Sequence, residues 1–194
     1  MFPLDLGGGL VLHPARTADA DELFSLVDAD RQRLREWLPW VDGTATADTV
    51  RTFLAGVEAS SERRNGIHTV VRLDGRAAGV ADLTFDGLDN GHVGYWLAAR
   101  ALGRGVMTRV VAELIDLGFG VAELHRIELQ APTGNHRSRA VAERLGMTFE
   151  GVRRQAERLP SGFVDLAVYS VLASEWAGAS TVLAAYGTGE RRNR

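Results

Sequence analysis

Two glycines separated by one arginine precede an apolar run in the segment RALGRGVMT, residues 100–108. The apolar side chains that follow recur at helical spacing: Met107, Val110, Val111, Leu114 and Ile115. The first N–H groups of a helix have no partner within it, and the helix dipole adds positive character there. Because glycine lets an anion approach bare backbone closely, the pattern predicts a phosphate site. The same glycines also fit a plain tight turn before a helix.

The composition limits the chemistry of this segment. The chain has no cysteine, and all 22 of its basic residues are arginine, which excludes thiol nucleophiles, lysine Schiff bases and a Walker-type phosphate loop. A dinucleotide-binding loop would need a third glycine nearby, but Gly118 and Gly120 lie too far along the chain. The five histidines show no i, i+4 pairing, so we expect no metal site.

Charge and hydropathy also exclude classes of partner. A net charge of −3 argues against a sequence-independent nucleic-acid binder. No apolar run reaches the roughly 20 residues that span a bilayer. The first residues, MFPLDLGGG, lack the basic and apolar regions of a secretion signal. We therefore expect a cytoplasmic protein that contacts neither membranes nor nucleic acid.

The elements that must position the glycine pair alternate between helices and strands. Period-2 patterns, with the turn pair Asp74-Gly75, predict strands in GLVLHPAR, IHTVVRL, RAAGVADLTF, HVGYWLA, HRIELQAP, TFEGVRRQAERL and FVDLAVYSVL. Period-3.6 patterns predict about four helices, among them one that carries Val50, Phe53, Leu54 and Val57. These patterns indicate one α/β domain over residues 1–176, followed by a flexible C-terminal tail over residues 177–194.

Several segments resemble the GCN5-related N-acetyltransferases (GNAT). The order Arg100-x-x-Gly103-x-Gly105 after the strand GYWLA is similar to the acyl-CoA pyrophosphate signature of that superfamily. The segments LHRIEL, NHRSRAVAERLGM and EGVRRQAERLPSGFVDLAVYSVL, together with REWLPW, resemble the branch that contains ribosomal-protein N-terminal acetyltransferases. The resemblance runs from about residue 9 to Trp176, which is nearly the whole predicted domain.

The resemblance implies an α/β (α+β) fold and a cosubstrate. The expected sheet is mixed and mostly antiparallel, has six to seven strands, and contains a central parallel pair that splays apart. The splayed pair corresponds to HVGYWLA and HRIELQAP, and acetyl-CoA or another acyl-CoA is expected between them. The implied acyl-CoA contacts are the main chain near Trp96 and Leu97, and the residues Arg100, Gly103, Arg104, Gly105, Val106, Met107, Thr108, Asn135 and Ser138.

The resemblance also implies the catalytic groups. Many family members place a tyrosine seven positions after the motif asparagine, where this chain has Ala142. The ribosomal-type branch instead implies that Ser138 donates to the departing sulfur and that Glu157 acts as general base. Taken alone, Asn135 could cap a helix with Ser138 in its first turn. Glu157 could likewise be a solvated edge charge, although strand alternation places Arg153, Gln155 and Glu157 on one face.

The function implied is transfer of an acyl group, most simply acetyl, to a protein N-terminal α-amine or to a small amine. Trp37 and Trp40 are candidate residues for binding the acceptor, and they could equally cover the core beneath a loop. A succinyl or other acyl group and a homodimeric assembly stay open. The alternative is a non-catalytic acyl-CoA sensor on the same scaffold, which would keep the phosphate cradle and lose the acid and base groups.

Overall fold

The computed structural model of the protein describes residues 2–62 and 65–187. The strands are β1 (Leu4–Asp5), β2 (Leu10–Pro14), β3 (Gly66–Leu73), β4 (Arg76–Phe85), β5 (Asn90–Leu97), β6 (Arg126–Pro132), β7 (Thr148–Leu159) and β8 (Gly162–Leu172). The helices are α1 (Ala20–Ala29), α2 (Arg31–Leu34), α3 (Ala47–Glu62), α4 (Val106–Gly120), α5 (His136–Arg144) and α6 (Ala179–Gly187). The α/β class inferred from the sequence is confirmed.

All eight strands form one sheet in the order β1-β2-β3-β4-β5-β6-β8-β7. The sequence predicted six to seven strands, and the described part of the chain has eight. The additional strand is β1, which was not predicted. Three glycines with left-handed φ, Gly7, Gly8 and Gly9, reverse the chain and bring Leu4–Asp5 alongside β2. The short helix α2 and the C-terminal helix α6 likewise exceed the predicted number of helices.

The central parallel pair splays apart as predicted. β5 and β6 pair only from Asn90↔Arg126 to Val93↔Leu129. Beyond that point residues 94–97 stay on the β4 ladder and residues 130–132 stay on the β8 ladder. The two strands therefore part in the middle of the sheet, and main-chain groups along this wedge have no strand opposite them.

Apolar side chains pack on both faces of the sheet. On one face, α4 packs against β6, where Val110, Leu114 and Ile115 meet Ile127 and Leu129, and all five are essentially fully buried. On the other face, α1 and α3 cover the N-terminal strands of the sheet. Within the sheet, β5 stays paired with β4 and β6 stays paired with β8, so each of the two parted strands is held by its outer neighbour.

The segment after residue 176 differs from the expected flexible tail. Residues 179–187 form α6, and its Ala179 N–H donates to both carboxylate oxygens of Asp116 on α4 (3.0 and 3.1 Å). The indole of Trp176 donates to the same carboxylate. Val182 and Leu183 pack against the core, which explains why this stretch is ordered. Residues 188–194 lie outside the described residues.

Across residues 2–62 and 65–187, no helix has both the length and the apolar character needed to cross a bilayer.

Candidate active site

A cleft of about 330 Å³ occupies the wedge between β5 and β6. Its walls come from α2 and the loop after it, β5, β6, the start of α4, α5 and β7. Seven of the residues predicted for the site line it: Trp37, Trp96, Leu97, Met107, Asn135, Ser138 and Glu157. Leu102 and Met107 extend the cleft to the beginning of α4. The broken ladder thus brings together groups that lie more than 100 residues apart in the sequence.

The beginning of α4 presents a row of free main-chain donors. Gly103 and Gly105 have left-handed φ angles of 73° and 68°, and Gly105 is the N-cap. In the described part of the chain, no acceptor bonds the N–H groups of residues 103–108, and the first helical bond runs from Arg109 N–H to Gly105 C=O (3.2 Å). A Cβ on either glycine would meet nothing within 4 Å, so the approach is open. This is the geometry of an anion site.

The two arginines of the predicted signature have different contacts. The Arg100 guanidinium donates to the carbonyl of Ala77 and so ties the loop to β4. The Arg104 guanidinium lies 3.7 Å from the Asp74 carboxylate and is half exposed at the edge of the glycine loop. Arg104 is therefore paired with Asp74 beside the glycine loop, whereas Arg100 fixes the loop to β4. The side chains of residues 106–108 are buried, and Met107 also lines the cleft.

The predicted main-chain contact at Trp96 needs correction. The N–H of Ala98 donates to Ala78 on β4 (2.7 Å), and alternation along an antiparallel ladder turns Trp96 toward β4 as well. The main-chain groups of Tyr95 and Leu97 face the wedge instead. The Leu97 carbonyl accepts from Arg33 (2.8 Å), which leaves the Leu97 N–H directed at the cleft. Trp96 contributes its side chain, which packs at a tilt against Trp40 (6.2 Å between ring centroids).

A hydroxyl pair lies on the α5 side of the cleft. Asn135 caps α5 by accepting the Ser138 N–H (3.1 Å), as its capping alternative predicted, and it lines the cleft too. The Ser138 hydroxyl lies 2.9 Å from the Tyr95 hydroxyl, which also bonds the Ser138 carbonyl (3.3 Å). Burial raises the pKa of Tyr95 to about 12, so its phenol stays protonated and can serve as a donor.

Sequence reasoning missed Tyr95 as a site residue. Its signal was its place on the strand expected to splay, two residues before Leu97 in GYWLA. The contact with Ser138 joins β5 to α5 across 43 residues, and no local pattern encodes it. Arg33 was missed for the same reason, since its contact with the Leu97 carbonyl spans 64 residues of sequence.

A bulge in β7 sets the direction of Glu157. Arg153 pairs with Leu166 and Glu157 pairs with Val164, so four steps on β7 oppose two on β8. Gln155 takes a left-handed φ of 48°, and its N–H donates to the Asp165 carboxylate (2.8 Å). Because the bulge adds two residues, Arg153 and Glu157 keep a common face. The expected simple alternation is interrupted at Gln155, which lies within the register shift between Arg153 and Glu157.

Glu157 is the carboxylate in the cleft that has no internal partner. Within residues 2–62 and 65–187, its oxygens accept no hydrogen bond and form no ion pair. The neighbouring Arg153 donates to Gln130 instead (3.0 Å). Burial raises the pKa of Glu157 above its ordinary value. A partly buried carboxylate with free acceptor positions is suited to taking a proton.

The two tryptophans predicted for acceptor binding lie in different places. Trp37 lines the cleft, whereas Trp40 lines a neighbouring cavity and not the cleft itself. The described part of the chain contains no group of three or more His, Cys, Asp or Glu side chains that could hold a metal ion. The polar groups that line the cleft include one carboxylate, one hydroxyl pair, the guanidinium groups of Arg33 and Arg137, and main-chain amides.

Two proteins of known name are similar to this chain in sequence over most of its length. The Bacillus subtilis (strain 168) protein YdaF, named provisionally as a ribosomal N-acetyltransferase, is 32% identical over 181 residues, which are 92% of this chain and 99% of that protein. The Escherichia coli (strain K12) ribosomal-protein-serine acetyltransferase is 24% identical over 165 residues, covering 83% of this chain and 91% of that protein.

A solved structure shares the fold over nearly its full length. Mycobacterium smegmatis RimJ in complex with CoA-disulfide superposes with a TM-score of 0.85 at 27% identity, covering 92% of this chain and 89% of that chain. Residues 9–148 match the family described as the acetyltransferase (GNAT) domain. The splayed strands, the open glycine loop and the sequence match agree, and this chain belongs to the GNAT acetyltransferase family.

Proposed function

We propose that this acetyltransferase transfers the acetyl group of acetyl-CoA to a protein N-terminal α-amine or to a small amine, with Glu157 as general base. The observation that carries the proposal is a cleft that holds an unpartnered carboxylate and reaches Leu102 and Met107, beside the free amides at the beginning of α4. An anion site and a proton acceptor that share a cleft suit a reaction between a phosphate-bearing donor and an amine.

The acyl-CoA would lie along the wedge. Its diphosphate would accept hydrogen bonds from the amides of residues 103–108, with Arg104 nearby. The pantetheine arm would follow the parted edges of β5 and β6, where Asn135 could bind its amides. Support comes from the open space above Gly103 and Gly105, and from the CoA-disulfide complex of the RimJ relative.

The reaction needs one proton acceptor, one oxyanion donor and one proton donor. The amine nitrogen attacks the thioester carbon while Glu157 takes the amine proton. The Leu97 N–H faces the position at which the carbonyl oxygen would become negative. The C–S bond then breaks, and Ser138, hydrogen-bonded to Tyr95, donates to the departing sulfur.

The raised pKa of Glu157 suits this role. A free α-amine has a pKa of about 8, well above that of an ordinary carboxylate. Burial brings the pKa of Glu157 nearer to that of the amine, which improves the driving force of the proton transfer. The names of two relatives, the ribosomal N-acetyltransferase YdaF and the E. coli ribosomal-protein-serine acetyltransferase, support a ribosomal protein as the first acceptor to test.

A thiol-release assay with acetyl-CoA tests the proposal. The acceptors are peptides with different N-terminal residues, polyamines and aminoglycosides, and mass spectrometry identifies each acylated nitrogen. Succinyl-CoA in a parallel series determines the acyl preference. We expect turnover on at least one amine with acetyl-CoA. Tight CoA binding without turnover on any acceptor would contradict the proposal and favour a non-catalytic acyl-CoA sensor.

A further inference from the structure

A second cavity, of about 600 Å³, lies beside the cleft. It is enclosed by α1, α3, the loop after α2 and the face of β4 and β5. Four residues line both cavities: Leu38, Gly94, Tyr95 and Trp96. A molecule in the second cavity would therefore extend directly into the space beside the β5 edge. The mechanism proposed above uses none of the residues found in this cavity alone.

The walls of the second cavity are mainly apolar. Leu23 and Val27 come from α1, and Val50 and Leu54 come from α3. Phe53 lies at the mouth with 60% of its surface exposed. This ring adds to the apolar lining against which an apolar group can be buried. The volume lies within the range of small-molecule sites, so an aromatic ring with its substituents fits inside it.

One charged side chain, Asp82, is found among the described residues that line this cavity. It lies 3.2 Å from His68 Nδ1 across the β3–β4 ladder. On its other side it faces Gly94, where a Cβ would meet nothing within 4 Å. Since Gly94 has no side chain, the space above Asp82 is open toward the cleft. A carboxylate in apolar surroundings favours a ligand that donates a hydrogen bond to it.

We infer that the second cavity binds the body of the acceptor, and that the preferred acceptor is an amine with a bulky aromatic body and a second hydrogen-bond donor for Asp82. This inference rests on the proposed function, because it assigns the amine of the same molecule to the cleft beside Glu157. The continuity of the two cavities and the charge of Asp82 carry it.

Calorimetric titration without acetyl-CoA tests the cavity independently of turnover. The probes are tyramine, 2-phenylethylamine, which lacks the hydroxyl, and ethylamine, which lacks the ring. We expect tyramine to bind at least about tenfold more tightly than ethylamine, because the ring leaves water for an apolar cavity. Equal affinity for tyramine and ethylamine would overturn the inference.

Two phenylalanine variants locate the binding. Phe53→Ala should weaken tyramine binding by about fivefold, since it removes a ring at the mouth of the cavity. Phe149→Ala is the matched control, because Phe149 is 51% exposed and lies on β7, outside both cavities. Loss of affinity in both variants, or in neither, would contradict the assignment.

Asp82→Asn tests the polar part of the inference with an isosteric change. We expect tyramine to lose its advantage over 2-phenylethylamine, while 2-phenylethylamine itself binds as before. An unchanged preference would show that Asp82 does not bind the second donor. If Asp82→Asn does not fold, the three-probe series and the phenylalanine pair still decide the inference.

Turnover separates this inference from the proposed function. Tyramine binding that Phe53→Ala weakens, without acetylation of any amine, would support the cavity and contradict the proposed function. Acetylation with the same KM for ethylamine and tyramine would support the proposed function and overturn the cavity.

Discussion

The two glutamates of β7, Glu150 and Glu157, have different environments, although they lie only seven positions apart in the sequence. Glu150, near the start of the strand, accepts two hydrogen bonds from Arg126 (both 2.6 Å) and one from Ser170 (2.7 Å). These contacts, with Arg126 first, lower the pKa of Glu150 to about 2. Glu157, beyond the bulge, has no partner in the described part of the chain, and burial raises its pKa.

The difference separates a carboxylate whose acceptor positions are filled from one whose acceptor positions are free for the role proposed above. The fold provides a bidentate arginine for Glu150, so that group is held ionised and its acceptor positions are filled. On the same strand as Glu157, Arg153 bonds Gln130 instead. Because Glu157 is unpaired within the cleft, its carboxylate can accept a proton there.

The largest expected effect comes from Glu157→Gln. It should lower kcat by about 100-fold or more, because the amide cannot take the amine proton, and leave the acyl-CoA Kd nearly unchanged. In the wild type, the acid limb of kcat/KM should lie above the ordinary glutamate range, since burial raises the pKa of Glu157. Rates must fall as the pH drops through this limb. An unchanged kcat would remove Glu157 from the mechanism.

Ser138→Ala extends the comparison to the other side of the cleft. We expect kcat to fall by about tenfold, a smaller loss than at Glu157, because a thiolate with a pKa near 8.5 leaves with little help. Tyr95→Phe should show a smaller decrease, since its hydroxyl acts through Ser138. Ser161→Ala, in the exposed β7–β8 turn, is the control and should match the wild type. A Ser138→Ala enzyme with full activity would show that Ser138 is not the donor to the departing sulfur.

Gly105→Ala tests the phosphate end of the cleft. A left-handed φ of 68° costs an alanine about 1 kcal/mol, so the loop should shift and weaken CoA binding by about fivefold. Gly87→Ala is the matched control, with a φ of 80° and equally open space in the β4–β5 turn. It should lose comparable stability and keep its CoA affinity. Calorimetry with CoA measures both, and equal affinity losses would argue against the cradle.

The smallest expected effect is on the free energy of unfolding. Glu150→Gln should lower it, whereas Glu157→Gln should keep or raise it. Glu150→Gln should lower the free energy of unfolding at pH 7 by about 1 kcal/mol, because the ion pair it removes is partly exposed. The folded pKa of Glu150 is lowered, so this difference should be full above about pH 4.5 and shrink as the pH falls toward 2.

Glu157→Gln should instead keep or raise the melting temperature. The raised pKa means that the folded state favours the protonated acid, so wild-type stability declines as the pH rises through the folded pKa. The neutral amide avoids that decline. Thermal melts at pH 5 and pH 8 compare the two variants, and the same sign for both would remove the distinction drawn between them.

The features that the sequence predicted by itself are those that depend on the conformational preferences of neighbouring residues. Asp74 and Gly75 both adopt positive φ in the predicted hairpin turn, and Gly105 caps α4 as its glycine pattern indicated. These features depend on neighbouring residues alone. The splay of β5 from β6 followed from the family resemblance, since no local pattern marks the residue at which a ladder stops.

The errors arose where pairing across the sheet decides the outcome. The N–H of Trp96 turns away from the cleft because of its register with β4, which the strand pattern does not encode. The bulge around Gln155 depends on Asp165 of the next strand. Helix α6 is capped by Asp116 from α4, so its order rests on a contact made across 63 residues.

A crystal structure of the protein with CoA tests the central claim most directly. We predict that the diphosphate accepts hydrogen bonds from amides of residues 103–108 and that the sulfur lies between Ser138 and the Leu97 N–H, within reach of Glu157. A diphosphate bound elsewhere, or a CoA that avoids the wedge between β5 and β6, would contradict it.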